Sequence, residues 1–161
     1  MNTAFYVFMK LLPKNAASRA FGAITRLRLP VLSKVARNIF CSYYKLNMDE
    51  SEYPLDHYAN IGELFIRRLK PGARPIADVE VVCPVDGVLS QTATFDGKQE
   101  MIQAKGKSYT LKDLLRDDAL AERFEGGGFA TIYLAPFNYH RIHSPVKGQV
   151  VDASYCPGTL W

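Results

Sequence analysis

Two of the chain's three histidines, His140 and His143, stand three residues apart in Tyr139-His140-Arg141-Ile142-His143-Ser144-Pro145. Imidazole changes charge closest to neutral pH, so the pair raises proton transfer or metal binding as candidate chemistries. A third group is Asp86, in Cys83-Pro84-Val85-Asp86-Gly87-Val88. Taken alone, Asp-Gly is an ordinary turn pair, and either histidine could be a surface residue without a role. Together, a carboxylate and an imidazole can activate a hydroxyl nucleophile. The acid fixes the imidazole tautomer and stabilises its cation, while the imidazole accepts the hydroxyl proton. The alternative is a metal-dependent hydrolase with Asp86, His140 and His143 as ligands. Zinc needs three or four ligands, and the chain has no H-E-x-x-H and no cysteine at ligand spacing, so no metal site is assigned. The relay requires the Asp86 carboxyl and the His143 imidazole to converge despite their separation along the backbone.

The elements that would position these groups are strands and turns. Phe129 to Leu134 reads as a strand ending just before the histidine block, and Val88 to Phe95 alternates as a second. Val79 to Val82, Met101 to Ala104 and the Val146 to Tyr155 stretch read as further strands, with Asp96-Gly97 as a hairpin signal. Tyr109-Thr110 leads into a short helix with Leu111, Leu114 and Leu115 on its apolar face. Ahead of these, Tyr58 to Leu69 reads as a helix stopped by Lys70-Pro71-Gly72, and Asp49 to Pro54 as a linker. The fold class expected is α+β: N-terminal amphipathic helices, then a mainly antiparallel β domain. The chain stops on Leu160-Trp161 directly after a turn, as the front part of a longer domain would.

At 161 residues the chain suits one ordinary domain. Cys41, Cys83 and Cys156 are odd in number and widely spaced, which argues against a disulfide scaffold and suits a reducing compartment. The net charge of +4 is unevenly distributed: residues 1–48 hold eight Lys or Arg and no acid, leaving twelve basic against sixteen acidic side chains beyond. Residues 1–48 and 49–161 are therefore treated as separate segments. Within the first, Ala4 to Leu12 is apolar around Lys10 and spans about half of the ~20 residues a bilayer-crossing helix needs. After Pro13, Ala20, Phe21, Ile24 and Leu27 recur at helical spacing. After Pro30, Val31, Leu32, Val35, Ala36, Ile39, Phe40 and Tyr43 form one face, opposite Ser33, Lys34 and Arg37. Basic amphipathic helices without acids suit an anionic membrane surface. Nucleic acid is not expected, because the basic residues are interleaved with large aliphatics. An organelle transit peptide also fits this composition.

Pro84-Val85-Asp86-Gly87-Val88-Leu89-Ser90, followed some fifty residues later by Tyr139-His140-Arg141-Ile142-His143-Ser144-Pro145, closely resembles the pyruvoyl-dependent phosphatidylserine decarboxylase family. Leu64 to Pro75, Ile102 to Leu111 and Tyr155 to Leu160 are similar to further blocks of that family in the same order. The resemblance runs from about residue 40 to the end; the basic N-terminal segment is similar to the family's membrane-docking helices by character more than by residue.

The resemblance implies that Asp86 and His143 form the relay that activates a serine for self-cleavage. It places His140 by the substrate carboxylate, assisting decarboxylation or the later protonation. It implies phosphatidylserine as substrate, phosphatidylethanolamine and carbon dioxide as products, and a pyruvoyl group as electron sink. The partners implied are an anionic membrane surface and a small pyruvoyl-bearing subunit, with a homodimer among the open oligomeric states. The location implied is peripheral, on the cytoplasmic face of a bacterial inner membrane. One departure stands out: the family's Leu-Gly-Ser-Thr cleavage motif is absent, and no serine here follows a glycine. The expectation is the N-terminal part of a large subunit, inactive alone. The remaining reading is a non-catalytic lipid-surface module.

Overall fold

The computed structural model describes residues 13–26, 29–95, 101–103 and 107–155. The fold is α+β, with helices first and antiparallel strands after. The expected apolar run at residues 4–12, Leu27, the Asp96-Gly97 hairpin signal, Ala104 and residues 156–161 lie outside the described residues. The chain divides into two compact units, one ending at Pro75 and rejoined from Ala153, the other Ile76–Asp152.

The first unit begins with α1 (Lys14–Thr25) and α2 (Pro30–Tyr44). Prolines set both starts: Pro13 caps α1, and Pro30 opens α2, where its missing N–H costs nothing. At the end of α2, Lys45 turns left-handed (φ 52°), and the Leu46 amide returns to the Cys41 carbonyl at 3.0 Å. That reversal carries Leu46 into a small core with Tyr58 and Leu64, against which Phe40, Cys41, Tyr44, Met48 and Leu55 pack.

The helix expected over residues 58–69 is much shorter: a 3-10 turn at Leu55–His57 and then α3 (Ile61–Phe65). Two local facts set its limits. The Asn60 side chain accepts the Glu63 amide at 2.9 Å while the Glu63 carboxylate accepts the Ala59 amide at 2.9 Å, which fixes the start. Beyond Phe65 the chain is drawn into extended pairing. The Glu52 amide donates to Arg68, the Lys70 amide donates to Glu50, and Ser51 bridges to Leu69. Helical propensity at 66–69 yields to these contacts. The same bonds correct the expected linker at 49–54: Ser51 is buried, and its hydroxyl meets the Tyr53 carbonyl and the Tyr58 hydroxyl at 2.8 and 2.7 Å.

Helix α2 turns Phe40, Cys41 and Tyr44 to the core at its C-terminal end but leaves most of its apolar face outside. Its buried residues are Ser33 and Arg37, from the polar side. Val31, Leu32, Val35, Ile39 and Tyr43 stay exposed, at 79%, 58%, 49%, 63% and 77%. In α1 no residue is buried, and Phe21 and Ile24 are exposed.

In the second unit β1 (Val88–Thr94) pairs antiparallel with a later strand, β4 (Gly128–Tyr133). The register runs from Val88 opposite Tyr133 to Thr94 opposite Gly128, with an irregularity between Leu89 and Gln91 that leaves Ser90 as the extra residue. The Ser90 hydroxyl donates across it to the Thr131 carbonyl at 2.9 Å. In a separate sheet β2 (Met101–Gln103) pairs antiparallel with β3 (Lys107–Tyr109). Helix α4 (Leu111–Leu115) starts at a capping box between Thr110 and Asp113, and α5 (Asp118–Arg123) at Asp117. Phe95, buried, stacks edge-on against Phe129 at 5.8 Å.

Val79–Val82 and 146–155 form no strands, contrary to the sequence pattern. The Val82 amide donates to Pro145 and the His143 amide donates to Pro84, both at 2.9 Å, which is an antiparallel register. In each pair the other residue is a proline and cannot return the second bond. Pairing is half-made and stops there. Val150 and Val151, exposed at 89% and 95%, have no strand beside them among the described residues, and β-branched sequence forms a strand only against a partner.

Candidate active site

All three candidate side chains belong to the second unit. Asp86 sits in the turn entering β1 and is half-buried. Gly87, next to it, lies so close to β4 that a β-carbon there would meet Ile132 Cγ2 and the Tyr133 carbonyl oxygen at 2.7 Å each. Glycine thus lets the chain approach the end of β4 closely where Asp86 leads into β1.

The histidine block follows β4. It opens with a turn in which the Asn138 amide donates to the Ala135 carbonyl at 2.9 Å and the Asn138 side-chain oxygen accepts the Ala135 amide at 2.7 Å. His140, half-buried, places Nε2 2.9 Å from that same Ala135 carbonyl. A carbonyl only accepts, so this contact puts a proton on His140 Nε2. His143 is exposed, and its ring stacks on Tyr139 with centroids 5.6 Å apart and planes 24° from parallel. The Tyr139 hydroxyl lies 3.2 Å from His143 Nε2.

The half-made ladder brings the two blocks together. His143 is backbone-bonded to Pro84, and Asp86 is two residues farther on. An opposed pair has α-carbons roughly 5.5 Å apart, and two extended residues add about 7 Å. The α-carbons of Asp86 and His143 therefore lie within about 12–13 Å of each other. His140 hangs from the Ala135 turn by its own bond. Sequence reasoning passed over Tyr139 and Asn138; the four-residue spacing of Tyr139 and His143 was the available signal for the first.

Among the described residues, no group of three or more His, Cys, Asp or Glu side chains is placed to hold a metal ion. Also among the described residues, no helix is long and apolar enough to cross a membrane.

A sequence model of a family described as phosphatidylserine decarboxylase matches residues 61–161. Curated relatives agree. A phosphatidylserine decarboxylase proenzyme from Anaeromyxobacter sp. (strain K) is 49% identical over all of this chain and 58% of its own length. One from Myxococcus xanthus is 42% identical over 98% of this chain and 57% of its own length. One from Methylobacillus flagellatus is 42% identical over 94% of this chain and 54% of its own length. The chain spans somewhat more than half the length of the relatives it matches.

Proposed function

The chain belongs to the phosphatidylserine decarboxylase family, and from that premise we propose that it is the N-terminal part of a membrane-surface carboxy-lyase that converts phosphatidylserine to phosphatidylethanolamine and carbon dioxide. The observation that carries this reading is the pairing of the His143 and Pro84 backbones, which holds the Asp86 turn beside the histidine block. In the proposed relay, one ring N–H of His143 donates a hydrogen bond to the Asp86 carboxylate. The other ring nitrogen takes the proton of the serine hydroxyl that cleaves the chain. That serine belongs to the part of the relatives' length this chain does not span, since no serine here follows a glycine.

A carboxylate and two imidazoles in one unit are the acid–base set needed to generate and use a pyruvoyl group, so the residues present fit it. When present, that group withdraws electrons from the substrate's α-carbon as carbon dioxide leaves. His140, with its Nε2 proton held on the Ala135 carbonyl, is proposed to turn Nδ1 toward the substrate: with Nδ1 also protonated, the imidazolium faces the substrate carboxylate, and the Nδ1 proton replaces the lost carboxyl group, which returns the ring to its neutral Nε2–H form.

The exposed face of α2 supports peripheral attachment at a cytoplasmic bacterial membrane. Burying Ser33 and Arg37 commits Val31, Leu32, Val35, Ile39 and Tyr43 outward, and Arg19, Arg26, Lys34 and Lys45 are exposed along the same two helices and the cap of α2. A bilayer with anionic lipid satisfies both the apolar stripe and the charge. The small pyruvoyl-bearing subunit and a homodimer are the further partners proposed.

The test is carbon dioxide release from phosphatidylserine vesicles. This chain continued by the remaining two-fifths of the Anaeromyxobacter relative is expected to cleave itself and release carbon dioxide. The 161-residue chain alone is expected to bind the vesicles and release none. Release by the chain alone, or none from the continued chain, overturns the reading.

A further inference from the structure

We infer that Tyr139 is a positioning residue for His143: its hydroxyl donates to Nε2 and so keeps the imidazole proton on Nδ1. Three observations meet at this pair. The hydroxyl oxygen is 3.2 Å from His143 Nε2. The two rings stack at 5.6 Å and 24°. The His143 backbone is fixed independently, by its amide bond to Pro84. Backbone, ring plane and one ring nitrogen are thereby all constrained, although His143 is exposed.

The polarity of the contact follows from chemistry. A phenol is a better donor than a neutral imidazole N–H, and an imidazole lone pair is a better acceptor than a phenol oxygen. The hydroxyl rotor is free to choose, so Tyr139 donates and Nε2 accepts. Neutral imidazole has one ring proton, and it must then reside on Nδ1. His140 holds the opposite tautomer, because its Nε2 faces a carbonyl that cannot donate. Two histidines three residues apart are thus set in opposite protonation patterns by different partners.

The consequence for catalysis rests on the relay proposed above. A carboxylate can orient His143 only through a ring N–H, and the base needs a lone pair on the other nitrogen. With the proton on Nδ1, both conditions hold before any serine arrives. Tyr139 then keeps the basic nitrogen aimed and yields its place to the incoming hydroxyl.

The experiment reads the tautomers directly. Nitrogen-15 NMR of histidine-labelled 161-residue chain, at alkaline pH where imidazoles are neutral, distinguishes Nδ1–H from Nε2–H by shift and by coupling to the ring protons. The expected result is Nδ1–H at His143 and Nε2–H at His140. In Tyr139→Phe, which keeps the stacked ring, the His143 ratio is expected to move toward Nε2–H by about five- to tenfold, the weight of one net hydrogen bond. His140 should not change. Nε2–H at His143 in the unsubstituted chain overturns the inference without recourse to any variant. So does an unchanged His143 ratio in Tyr139→Phe.

Self-cleavage of the chain continued by the Anaeromyxobacter segment separates this inference from the relay. Tyr139→Phe is expected to slow cleavage by a similar factor, and His143→Ala to abolish it. Normal cleavage in Tyr139→Phe with His143→Ala inactive overturns the role of Tyr139 alone. Normal cleavage in His143→Ala overturns the relay itself and the catalytic role of Tyr139 with it.

Discussion

Replacing Ile39 by Asp tests the outward orientation of α2. Ile39 is 63% exposed and sits amid Val31, Leu32, Val35 and Tyr43 on the same stripe. Full burial of an aliphatic side chain contributes about 2 kcal/mol, so scaling by exposed fraction gives roughly 1 kcal/mol for Ile39 and about 6 kcal/mol for the five together. A carboxylate in its place loses that contribution and adds about 1 kcal/mol of repulsion from anionic lipid. The total of about 2 kcal/mol corresponds to roughly thirtyfold weaker partitioning onto vesicles containing anionic lipid. Flotation or sedimentation with such vesicles measures it. Ile39→Leu is the control for the apolar surface. Arg37→Met is the control for the other face. Its Nε is buried without a protein hydrogen-bond partner and its guanidinium lies 3.9 Å from the largely exposed Asp56 carboxylate, so methionine should leave both vesicle binding and stability nearly unchanged. Equal partitioning of Ile39→Asp and the unsubstituted chain would refute the reasoning, because the stripe would then not be what meets the lipid.

Two further predictions concern the second unit. Gly87→Ala forces a methyl to within 2.7 Å of Ile132 and the Tyr133 carbonyl, and the backbone atom cannot swing away as a flexible side-chain end would. A loss of about 1–3 kcal/mol in denaturant unfolding is expected, and a change below about 0.5 kcal/mol would contradict the close approach. At Asp113, bonds from the Thr110 hydroxyl and amide, helped by Arg116, hold the carboxyl below the usual carboxylate range. A lowered folded-state value means the contribution is complete above the unfolded value and disappears as pH falls through the folded one. Acid melts of Asp113→Asn should therefore diverge least from the parent at the lowest pH and most toward neutrality; the reverse order would contradict the capping role.

Helix placement was legible because prolines punctuate it: Pro13 and Pro30 bracket α1 and α2, and the 3.6-residue period fills the space between. The strands β1 and β4 were legible from alternation and β-branching. What failed were elements decided by partners. Residues 66–69 have a helical pattern but pair with 50–52, and nothing local announces that. The valines at 79–82 and 146–151 read as strands, yet Pro84 and Pro145 halve their ladder. The two expected faces of α2 are both split: Phe40 packs on the core while Val31, Leu32, Val35, Ile39 and Tyr43 stay outside, and Lys34 is exposed while Ser33 and Arg37 are buried, which periodicity alone cannot say. Residue types alone nominate Asp86, His140 and His143 as candidates, but the contacts these residues make were not legible. The Ala135 carbonyl is a backbone atom, and the bond from His143 to Pro84 spans almost sixty residues.

The central claim is that Asp86 and His143 act as one relay, and self-cleavage of this chain continued by the Anaeromyxobacter segment tests it most directly. The measurement compares the cleavage rates of Asp86→Asn, His143→Ala and the double variant by gel electrophoresis. Groups that act as a unit are not additive, so each single change should stop cleavage about as completely as both together. Either single variant cleaving at the parent rate, or two partial losses that simply multiply in the double variant, would contradict it.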